Sequence, residues 1–380
     1  MTTSRAIVIV LVAVVVCGTL WLFRPRRPSP DTPPPPATVL RPAPRRISHK
    51  LIQNVATYDG TSVASTNNST REATELPTET EDLTREEINA YLTQKNHSAD
   101  SLVAAYRLTF DTNFLKEAAA KYPTDPHVQF TVLRKELFPE DRWHWLEAYE
   151  ESTPDNSLVN YLAAYWHLKE GQTEQALAEF TRADAKPRLD VYWLDEAQAV
   201  SEAYMSAGFA PADARLEGIA RSMTPIFPLL VQRDISALTV QYQQSGDPST
   251  ANSLTAMELR LGERLIKGDA GKSLENEFIG YTLQRTVLTS LDPSTAVEFG
   301  GTTETAAERL ADLRTKAKSI YEVVKAVPID ELVASHTMSD DDVLAYFEHV
   351  RSDGEFAAMQ WLRDKLGPSL PSEPSASERK

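Results

Sequence analysis

The chain has 380 residues, 42% of them hydrophobic, a net charge of −15 and a single cysteine, which leaves room for two ordinary domains. Residues 1–50 carry +7, so residues 51–380 sum to −22; that acidic body repels a nucleic-acid backbone, whose binding needs clustered Lys and Arg. Cys17 lies in an apolar N-terminal segment, so the rest of the chain forms no disulfide and does no thiolate chemistry.

Ala6 to Phe23 runs 18 residues without a charge. As a helix it would span roughly 27 Å, near the thickness of a hydrocarbon core. The Val16-Cys17-Gly18 stretch makes a poor cleavage site, and Val16 before Cys17 does not suit a lipoprotein cysteine. A retained single-pass anchor over 1–23 is the expectation. Arg24, Arg26 and Arg27 favour a cytoplasmic body by the positive-inside rule. The short basic stub before the apolar run and the long tether favour the extracytoplasmic side, toward which the balance leans.

Residues 24–83 form the expected linker. Nine prolines between Arg24 and Arg46 favour polyproline II. Residues 58–82 are rich in Ser, Thr, Asn and Glu, with too few large apolar residues to fold.

Order is expected from Thr84. Thr84 with Glu87 makes a capping box, followed by an Ile88, Tyr91, Leu92 stripe. Over 84–189 paired helices recur between acidic-proline stops, with Pro126, Pro154 and Pro187 spaced 28 and 33 residues apart. That period marks an α-helical repeat stack. The third pair, Ala163 to Ala183, resembles the tetratricopeptide repeat. Gly171 stands at the inter-helix turn, Ala176 and Ala183 at small positions and Phe180 at the aromatic one. The other two pairs lack most of these positions. The resemblance implies an all-α, tetratricopeptide-like α-solenoid of antiparallel helix pairs whose surface holds a protein or peptide. Phrases such as Arg85 to Leu92, Phe114 to Phe130 and Asn160 to Leu177 are also similar to anchored helical-repeat proteins of bacterial envelopes, which implies the bacterial inner membrane.

From 190 to 366 the spacing predicts a helical array without that rhythm, at 191–207, 211–223, 228–245, 249–267, 272–291, 303–327, 339–352 and 354–366, with no sheet. Ala306, Leu310, Leu313, Ala317, Ile320, Val324 and Val327 form a heptad seam. It predicts a helix packed within the array or, alternatively, a homodimer through 303–327. Residues 367–380 are expected to be a disordered tail.

No catalytic, cofactor or metal site is expected. Ala270-Gly271-Lys272-Ser273 lacks the upstream glycine of a phosphate loop, since position 266 is Ile. Asp340, Asp341 and Asp342 follow Ser339 and fit a helix N-terminus better than a cation site. The histidines His127, His144, His167, His336 and His349 are scattered, with no metal-ligand spacing. Trp143 and Trp145 lie about 200° apart on one helix, so one of them should leave the core and mark a binding face. The expected function is a membrane-anchored interaction scaffold without catalysis. The alternatives are a self-associating envelope component and a body that binds or hydrolyses a glycan or lipid fragment.

Overall fold

The computed structural model describes Arg45 and residues 82–222, 227–268, 270–299, 301–334 and 337–367. The segment 6–23, most of the linker and the tail lie outside the described residues. Among the described residues no helix is long and apolar enough to cross a membrane. They form an all-α, repeat-like fold with two short strands.

The first helix, α1 (Arg85–Gln94), opens on the expected capping box: Glu87 N–H donates to the Thr84 hydroxyl, and Thr84 N–H donates to the Glu87 carboxylate. Its apolar stripe is buried, with Ile88, Tyr91 and Leu92 each 1% exposed. The pairs then follow as α2 (Ala99–Thr109) with α3 (Thr112–Lys121), α4 (Pro126–Lys135) with α5 (Arg142–Ser152), and α6 (Leu158–Lys169) with α7 (Thr173–Ala185). Ser98, Asp111 and Asp125 cap α2, α3 and α4 with side-chain oxygens.

In the third pair the signature residues occupy the positions the spacing implies. Gly171 turns the chain with φ +75°, a conformation that favours glycine. Ala176 and Ala183 are fully buried, so α6 and α7 approach closely, and Phe180 fills the gap between them beside Tyr161.

The next helices are α8 (Trp193–Ser206), α9 (Pro211–Arg221), α10 (Phe227–Gln244), α11 (Pro248–Ile266) and α12 (Leu274–Ser290). Several contacts among the described residues depart from a nearest-neighbour stack. Helix α8 lies against α1 and α2, across the boundary that the sequence places at 189/190, and α9 lies against α15 (Asp340–Asp353). The crossing of α11 and α12 is tight because Gly262 meets Gly280: a Cβ on Gly280 would stand 2.6 Å from the Gly262 carbonyl oxygen.

The expected absence of sheet needs correction. β1 (Ala296–Phe299) pairs antiparallel with β2 (Thr302–Thr305), Ala296 opposite Thr305 and Phe299 opposite Thr302. Cations hold this hairpin down: the Arg309 guanidinium lies 3.1 Å over the Phe299 ring and the Lys267 amine 4.6 Å from its centroid. The helix expected over 303–327 therefore starts later, as α13 (Ala306–Ala326), with Thr305 as its cap. Leu313, Ile320 and Val327 of its seam are buried in this same chain, and Leu310 and Val324 pack on the core. A short α14 (Ile329–Ala334), absent from the expected set, precedes α15 and α16 (Glu355–Leu366).

Within the expected linker over 24–83, Arg45 is described and has fixed contacts. Its backbone pairs with that of the Gly208–Ala210 turn between α8 and α9.

Candidate functional site

The feature best suited to recognition lies on α5 and α6. Only one of the two tryptophans of α5 can face the core. Trp145 does so, 9% exposed and stacked on Phe138 with ring centroids 5.9 Å apart. Trp143 is half-buried, its ring 4.3 Å from that of His167 on α6. His167 is held in turn by Gln172, 2.5 Å from Nδ1 to Oε1.

Helix α6 changes character along its length. Leu158 to Ala164 are all buried, whereas Tyr165, Trp166, His167 and Leu168 are all half-buried. Tyr165, Trp166 and Leu168 pack on the core with part of each side chain left uncovered. Cations lie on these rings: Arg142 sits 3.6 Å over Trp166 and the Lys169 amine 5.2 Å from the Tyr165 centroid. Arg142 is steered by Glu136 at 3.8 Å and Glu170 at 3.6 Å. A shallow dimple of about 10 Å³ lies beside it, lined by Phe138, Pro139, Arg142, Trp145 and Glu136 among others. That is smaller than the sites that enclose whole ligands.

Two polar centres were not visible in the sequence. His127, 5% exposed at the start of α4, stacks on Tyr192 at 5.5 Å and stands 3.5 Å from Asp100 of α2. Asp195 of α8 faces the same ring, and burial raises its pKa despite the pull of His127. The second centre is Glu196, 2% exposed, with Arg107 Nε 2.7 Å from Oε1 and Arg134 Nη2 3.5 Å from Oε2. Partial loss of water, with the charges of Arg134 and Arg107, pushes the neighbouring Lys135 amine down to about 8. Each centre joins α2, α4 and α8. Spacing along one segment carries no trace of such groupings.

The stretches tested for chemistry have structural partners. Ala270–Lys272 is a turn of 3-10 helix before α12. The Leu274 N–H, which a phosphate loop would offer to its ligand, donates to the Glu355 carboxylate at 2.8 Å. Asp342 closes a capping box with Ser339 and pairs with Lys365. Among the described residues no group of three or more His, Cys, Asp and Glu side chains is placed to hold a metal ion. Compared with protein families, curated proteins and solved structures, the chain matches none.

Proposed function

We propose that this protein is an interaction scaffold that holds a protein or peptide partner near a membrane and catalyses no reaction. In this reading residues 6–23 are the anchor, residues 24–83 carry the body away from the bilayer, and the body is a tetratricopeptide-like α-solenoid. The observation that supports it is the half-covered aromatic end of α6 beside Trp143, with Arg142 stacked on Trp166. Rigid aromatic rings and stacked arginine are what binding hot spots are made of.

The partner is expected to lie across Trp143 and Trp166. Crosslinking and pulldown of the full chain from membranes should recover one partner, with Trp143→Ala and Trp166→Ala each lowering recovery at least tenfold. Equal recovery by both variants, or no partner above background from the wild type, would sink the proposal. Protease accessibility in intact cells tests the extracytoplasmic side.

Self-association through 303–327 is the second reading. Its seam is largely engaged inside one chain, which favours the scaffold. A molar mass that doubles with concentration in light scattering would reverse that preference.

A further inference from the structure

Arg45 is the one residue before Asp82 among the described residues, and it is held from several directions at once. Its N–H donates to the Gly208 carbonyl at 2.9 Å, and the Ala210 N–H donates to the Arg45 carbonyl at 3.0 Å, the two bonds of a parallel bridge. Its guanidinium lies 4.2 Å over the Phe209 ring and also bonds to Glu87.

The receiving groups are fixed by contacts of their own. Phe209 is 3% exposed and packs edge-on against Tyr204 at 5.2 Å. Glu87 uses its other carboxylate oxygen on the Thr84 N–H, which aims the free oxygen at Arg45. Backbone pairing asks for an extended segment, a flat cation over an aromatic ring asks for arginine, and an aimed carboxylate selects its charge. Charge favours the same encounter over longer range, since residues 1–50 carry +7 and the remainder −22.

We propose that Glu87, Phe209 and the Gly208–Ala210 backbone form an arginine-reading slot whose resident occupant is Arg45 of this chain's own basic arm. Docking ties the chain back on itself across the 42 positions between Arg45 and Glu87. In the anchored reading proposed above, on which this consequence rests, it also sets the body's leash. With the arm docked, the chain between Phe23 and Arg45 reaches at most about 70 Å at polyproline rise. With the arm released, the residues before Glu87 join that reach. The inference does not depend on what binds α5 and α6.

The test is amide hydrogen exchange on the full chain in detergent micelles. The Arg45 amide of the wild type should be protected, and the Ala210 amide should exchange at least tenfold faster in Arg45→Ala. Glu87→Gln should fall between the two, because glutamine keeps the capping box while losing the charge. Arg45→Lys should protect less than the wild type. Far-UV circular dichroism identical to wild type separates undocking from unfolding. Ala210 exchange unchanged in Arg45→Ala overturns the slot. Protection that grows with protein concentration overturns the intramolecular occupant in favour of a second copy's arm.

Discussion

Glu355, the first residue of α16, carries its carboxyl where the 3-10 turn meets α12. Burial pushes its pKa up to about 7, assisted by the charges of Glu275 and Glu277 and opposed by the Leu274 N–H. Lys272 is near but donates to the Arg351 carbonyl at 3.1 Å. The folded chain thus holds a proton on Glu355 up to about pH 7, while the unfolded chain releases it near 4.5. The unfolded state binds fewer protons across that interval, so stability should fall as pH rises from 4.5 through 7. Denaturant titrations at pH 5 and 7.5 should differ by on the order of 2 kcal/mol from this group, and Glu355→Gln should flatten that part of the profile. A wild type no more stable at pH 5 than at 7.5, with an unaltered profile in the variant, would refute the assignment. Residues whose partners lie close in sequence were legible, as with Thr84 and Glu87 or Ser339 and Asp342. So was the divergence of Trp143 and Trp145, which helical geometry alone requires. Glu355 and His127 were not, because their surroundings come from helices far away in the chain.

At the scale of elements, periodicity identified the helices because each buries one apolar face. It failed at residues 296–305, where four-residue strands are too short to alternate convincingly and Thr302 to Thr305 reads as a helix approach. The hairpin depends instead on Arg309 and Lys267 over Phe299, contacts made outside it. The crossing of α11 and α12 was equally hidden, since Gly262 and Gly280 look like weak spots within good helices. Two opposing effects meet in Gly280→Ala. Alanine gains about 1 kcal/mol of helix propensity. Its Cβ, however, would stand 2.6 Å from the Gly262 oxygen and 2.7 Å from Ile266 Cγ1, and overpacking costs about 1–3 kcal/mol. Backbone on the far side cannot step aside, so the clash should prevail. We expect a net loss of about 1–2 kcal/mol, read as a lower urea midpoint at constant slope; a more stable variant would mean that the crossing relaxes freely.

For the whole molecule, the pairing of α8 with α1 and α2 ties the start of the repeat region to the segment after it. Glu196 is the polar centre of that junction, between Arg107 of α2 and Arg134 of α4. Glu196→Gln keeps the volume and leaves two crowded guanidinium groups without their counter-charge. Breaking one side of a buried pair costs about 3–5 kcal/mol, so the variant should lose several degrees of Tm and recover part of them when Arg134 is also changed to Met. If Glu196→Gln alone unfolds like the wild type, the junction is held by apolar packing. A sequence period could not disclose this closure, since a repeat reports what each pair does to its neighbour and α8 meets helices six and seven places before it.

That closure also sets an order of events during synthesis. The Tyr91 hydroxyl donates to the Ala199 carbonyl, a partner 108 positions later in the chain. At about 5–20 residues per second a ribosome needs roughly 5 to 20 s to supply it. Over that interval the faces of α1 and α2 that α8 will cover stand open on the nascent chain. The part of the body made by then, −13 over residues 51–199, keeps unfinished chains apart while their first helices wait for the eighth.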